Sequence, residues 1–143
     1  MSHFFRRAAL ALSLVCLVAL AARAAGNELV GFYRVGQTTN LGAEVRVTLH
    51  IRLVNNSPQE VSILKIALRD VGQRAKPAET SAWARLQQRE WTTVEQEFVI
   101  SRAEYMSWSK GGRPTLQVAF QPAGSREVMR TIQLRRLPAR RAQ

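Results

Sequence analysis

Cysteine is nearly absent. Of 143 residues only Cys16 carries a thiol, and it lies in an apolar N-terminal stretch. Histidine occurs twice, at His3 and His50, and aspartate once, at Asp70. A chain so poor in these residues has no disulfide framework to hold it and little to build a metal centre from. There is no glycine-rich phosphate loop, no nucleophile elbow and no zinc-ligand spacing. The expectation is therefore a non-catalytic chain with no cofactor and no metal. Also missing are an apolar run of the ~20 residues that a spanning helix needs, and a long amphipathic helix able to cross over between parallel strands.

What the N-terminus does have is a clear order. Phe4-Phe5-Arg6-Arg7 is a short basic start, residues 8–22 carry no charge, and Ala22-Arg23-Ala24 puts small residues at −3 and −1 of a cut before Ala25. Basic, then apolar, then A-x-A is the layout of a secretory signal peptide. A twin-arginine signal is matched only by the Arg6-Arg7 pair. Lipidation at Cys16 would want a small residue before it, where Val15 stands. The reading divides the chain into a signal peptide over 1–24, a β-sandwich domain over 25–137 and a flexible basic tail over 138–143. It predicts a periplasmic or secreted protein that meets the membrane only through an uncleaved leader.

The leader holds three of the 21 basic residues and none of the ten acidic ones, so the remainder carries +8. An excess of this size invites an anionic partner: nucleic acid, lipid head groups or an acidic polysaccharide. Most of the basic residues, however, are scattered singly along alternating segments, as on a solvated sheet face. Export disfavours nucleic acid. The one cluster is C-terminal, Arg135-Arg136 and Arg140-Arg141 around Pro138.

Beyond the leader the dominant period is two. Val45, Val47, Leu49, Ile51 and Leu53 alternate with Glu44, Arg46, Thr48, His50 and Arg52. Successive strand side chains point to opposite faces, so this segment buries one face and wets the other. Asn55-Asn56-Ser57-Pro58 ends it with turn formers. In the next run Val61 and Ile63 share one parity and Leu64, Ile66 and Leu68 the other. That switch predicts a β-bulge near Ile63-Leu64, or a strand buried on both faces. Residues 70–80 read as a loop, 81–87 as a weak strand around Trp83 and Leu86, and 91–100 as a firmer one through Val94, Phe98 and Ile100. Ser101-Arg102-Ala103-Glu104 matches the S-x-x-E capping box. A short helical turn through Tyr105 and Trp108 follows, stopped by Gly111-Gly112 and Pro114. Leu116, Val118 and Phe120 alternate again. Val128, Ile132 and Leu134 mark a last strand with Arg130 on its apolar parity, and residues 29–35 suit an opening strand.

About seven short strands with turn signals between them and one helical turn pack most economically as two antiparallel sheets face to face. The strand end Val54-Asn55-Asn56-Ser57, the run over 61–70 and the late pair around Gln121-Pro122-Ala123-Gly124 resemble small immunoglobulin-like or fibronectin-type modules of exported bacterial proteins. The resemblance covers most of the chain after the leader, although the disulfide of antibody-type domains is absent. It implies an all-β, seven-stranded antiparallel immunoglobulin-like β-sandwich with one short helical turn. It also implies a role in binding, adhesion or spacing.

His50 falls on the polar face without an evident partner in catalysis. Glu95 and Glu97 point the same way from their strand and read as part of a solvated face. The candidate binding residues are the aromatics Trp83, Trp91, Trp108 and Tyr105 and the arginines Arg135, Arg136, Arg140 and Arg141. Exposed tryptophans on a sandwich anchor partners or stack on sugar rings, whereas buried ones close the core. The expected partner is an envelope or extracellular protein; the alternative is a carbohydrate or other anionic polymer held by Trp and Arg.

Overall fold

A computed structural model describes residues 28–69 and 79–138. The leader over 1–24, the tail residues 139–143 and most of the expected 70–80 loop lie outside the described residues. The elements are β1 (Leu29–Asn40), β2 (Glu44–Asn55), β3 (Val61–Arg69), β4 (Glu79–Leu86), β5 (Trp91–Ser101), α1 (Arg102–Ser109), β6 (Thr115–Pro122), β7 (Val128–Gln133) and β8 (Arg135–Arg136). They form two four-stranded sheets, β5-β2-β1-β8 and β4-β3-β6-β7.

β2 sits inside the first sheet and follows its alternation throughout. Val47, Leu49, Ile51 and Leu53 have no exposed surface, while the residues between them are half-buried or exposed. Each such side chain contributes about 1.5–3 kcal/mol on burial. The facing layer comes from Ile63, Ile66, Leu116, Val118 and Phe120 of the second sheet, so one core lies between the two. The parity switch in β3 is a bulge. Its register against both β4 and β6 shifts between Ile63 and Lys65, and against β6 this leaves Leu64 as the extra residue.

Four details differ from the sequence reading. β4 begins at Glu79, inside the expected loop, because β3 pairs with it as far as Ala67↔Glu79. The opening strand runs on to Asn40, although only its first part feeds the core. The helical turn is an eight-residue α-helix. The described residues form eight strands rather than seven, and the eighth pairs with β1 in parallel, so the sheets are not purely antiparallel.

The cause of that last difference is Leu134. It follows β7 of the second sheet, is fully buried, and donates its N–H to the carbonyl of Pro114 at 2.9 Å. Its side chain fills space left open by Gly31 of β1: a Cβ there would stand 2.4 Å from Leu134 Cδ2. Seated so, Leu134 carries the chain from one sheet to the other and delivers Arg135 and Arg136 beside Phe32 and Tyr33.

Candidate binding groove and sheet face

The groove is built from α1 upward. Ser101 caps the helix in an extended conformation, and its Oγ accepts the Glu104 N–H at 3.1 Å. Glu104 is one turn before Trp108, and its carboxylate accepts the indole N–H at 3.0 Å. Trp108 is thereby held with 5 % of its surface exposed. It packs edge-on against Tyr33, at 6.3 Å between centroids and 62°, and against Tyr105, at 6.0 Å and 61°. Gly111 ends the helix at φ +96. Gly112 donates to the Ser107 carbonyl at 2.8 Å, a position where a side chain would collide with that same oxygen. This turn brings Arg113 back toward β8.

Between the turn, β1 and β8 lies a groove of about 710 Å³ with Tyr33 and Trp108 as its floor and Arg113, Arg135 and Arg136 on its rim. A recess of about 270 Å³ adjoins it, sharing Tyr33, Trp108, Ser109 and Arg136 and adding Val35 and Tyr105. Among the described residues no carboxylate lines either space. The described ion pairs lie elsewhere, on the outer face of the first sheet. They are Arg46–Glu97 at 3.4 Å and His50–Glu95 at 3.3 Å. Glu95 and Glu97 thus each face a basic partner across β2, and His50 is part of that charge ladder.

The same outer face carries a second feature. Trp91 is 57 % exposed, and the Arg52 guanidinium lies over its ring at 4.5 Å from the centroid. Cross-strand register puts Val30, Val54 and Trp91 in one row and Phe32, Arg52 and Thr93 in the next. Val30, Phe32 and Val54 are half-buried, which makes a partly apolar patch around the exposed indole.

The candidate residues therefore divide. Tyr105, Trp108, Arg135 and Arg136 come together at the groove, with Trp108 as buried floor rather than exposed anchor. Trp91 belongs to the outer face of the first sheet. Trp83, 73 % exposed, stands on β4 at the edge of the second sheet. Arg140 and Arg141 lie outside the described residues. Sequence reasoning missed Tyr33 and Arg113. The signal for Tyr33 was its in-phase place in the opening strand. That for Arg113 was its position directly after the glycine pair that turns the chain.

No protein-family model matches the chain, and no curated protein matches it. A solved structure, of a protein from Archaeoglobus fulgidus, is similar at a TM-score of 0.31 and 8 % identity, over 73 % of this chain and 90 % of that one. Similarity of that degree carries no argument about fold or activity.

Proposed function

We propose that this chain is an exported, non-catalytic module of immunoglobulin-like architecture that works by contact with a protein of the envelope or the exterior. The division of strands supports the architecture: the first, second and fifth in one sheet, and the third, fourth, sixth and seventh in the other, with the third and sixth paired at its centre. Export rests on the leader, and intact-mass measurement of native protein should find a chain beginning at Ala25. A full-length chain in the membrane fraction would refute it.

The observation that carries the contact role is Trp91 under the Arg52 guanidinium, set among Val30, Phe32 and Val54. Tryptophan and arginine are the side chains that most often dominate binding energy when a partner excludes water around them. Apart from Val99, the other outward positions of β2 and β5 on this face are charged or polar and form the rim such an anchor needs. A photo-crosslinker at the exposed Thr93, beside the patch, should give one adduct of defined mass in intact cells. Trp91→Ala should abolish it without changing the melting temperature. A crosslinker at the exposed Met129, on the other sheet, should give none. An adduct that survives Trp91→Ala, or forms equally from both positions, would refute the reading.

A further inference from the structure

The groove differs in kind from the Trp91 face. We infer that it is a second binding site, which takes an acidic segment of a partner protein laid down in extended conformation beside β8. The inference rests on the reading above only in taking the partner to be a protein.

Three observations point to that ligand. The first is charge. Arg113, Arg135 and Arg136 converge on one groove that no carboxylate lines among the described residues. Guanidinium groups bind carboxylates through paired, geometrically specific hydrogen bonds. The second is the edge. β8 pairs with β1 on one side, and no described strand pairs with the other. Alternate residues of a strand turn both main-chain groups to opposite sides. Leu137 gives its N–H to Tyr33 at 2.9 Å, so Arg136 presents its N–H and C=O away from β1. A peptide can extend the ladder there, as in recognition by strand addition. The third is the floor. The recess sets Val35, Tyr105 and Trp108 beside Ser109 and Arg136, and its 270 Å³ has room for one aliphatic side chain against the aromatic part. In an extended peptide such a side chain would alternate with acidic ones.

The same floor speaks against a polysaccharide. Tyr33 and Trp108 are 3 % and 5 % exposed and meet edge to face, so neither offers a ring face on which a sugar could stack. Stacking on an open ring face would be the sign of a carbohydrate site.

The test uses the chain from Ala25 to Gln143 and a fluorescent, N-acetylated peptide of alternating Glu and Leu, read by anisotropy. The peptide should bind, and its affinity should fall steeply between 50 mM and 500 mM salt. Arg135→Gln with Arg136→Gln should weaken binding at least tenfold, and Arg113→Gln severalfold, with unchanged melting temperatures. Arg130→Gln, at an exposed arginine outside the groove, should change it less than twofold. A Lys-Leu peptide should not bind. No binding at millimolar protein, or equal binding by the groove variants, would overturn the proposal. So would polygalacturonate binding at least as tightly with the same arginine dependence. Failure here, with the Trp91-dependent adduct intact, removes the groove and leaves the sheet-face reading standing. Loss of that adduct leaves the groove test unaffected.

Discussion

Replacing Asn55 with alanine would cut a polar network buried at the end of the sandwich. Asn55 is fully buried and closes β2. Its Nδ2 donates to the Gln59 carbonyl at 2.7 Å and the Leu86 carbonyl at 2.9 Å. Its Oδ1 accepts the Ser57 N–H at 2.9 Å and the Ser57 Oγ at 2.8 Å. The amide has two donors and two lone pairs, and all four are used. Each bond is worth about 1 kcal/mol net, and a carbonyl left dry and unpaired costs about 1–3 kcal/mol. Water can reach Gln59 and in part Ser57, but Leu86 is 3 % exposed. The expected loss is about 3 kcal/mol, which in a domain of this size lowers the melting temperature by roughly 10 °C. Asn55→Asp sharpens the test. It keeps the shape but turns an acceptor toward the Gln59 and Leu86 carbonyls unless the new carboxyl holds a proton. Burial and those carbonyls raise its folded pKa above the unfolded value of ~3.9. The folded state then binds the extra proton, so stability is retained below that value and lost as pH rises through the folded pKa. Thermal melts of the wild type and both variants from pH 4 to pH 8 decide the matter. A loss under about 1 kcal/mol for the alanine variant, or a pH-independent deficit for the aspartate variant, would refute the reasoning.

In a melting experiment Leu49→Asp should unfold the domain, since it buries an unpaired carboxylate, whereas Thr48→Asp on the half-buried outer face should cost a few tenths to ~1 kcal/mol; similar losses at both would contradict the alternation. Gly31→Val should expel Leu134 from its seat and free β8. Hydrogen exchange at Leu134 and Leu137 should then accelerate at least tenfold while β2 stays protected, and unchanged protection of both amides would sink that account.

Legibility in the sequence followed the range of the interactions. β2 was plain because a strand with one wet face writes its period directly into its residues. The β3 bulge was plain for the same reason, as a break in that period at Ile63-Leu64. The cap at Ser101 was local and readable too. β8 was not readable. Two exposed arginines have no periodicity, and what makes them a strand is Leu134 fitting against Gly31, over a hundred residues away in the chain. The groove was half legible for that reason. Tyr105 and Trp108 could be placed on one helical turn, and Arg135 and Arg136 stood out as a cluster. Only the sheet crossing at Leu134 brings the two groups, with Tyr33 and Arg113, to one place.

The parallel pairing of β8 with β1 also fixes how the domain would answer to mechanical load. β1 enters at its Leu29 end, and β8 leaves in the same direction, toward Pro138. A pull on the segments flanking the described ends would therefore draw the two strands lengthwise past each other. Their bonds would share the load together rather than open one after another like a zipper. Among the described residues, the pairs Phe32↔Arg135 and Tyr33↔Arg136 and the Leu134 knob resist that slide, while β1 keeps its long ladder to β2. The short clasp would yield first. As it slipped it would carry Arg135 and Arg136 off the aromatic floor, so tension along the chain would empty the groove before it unfolded the core.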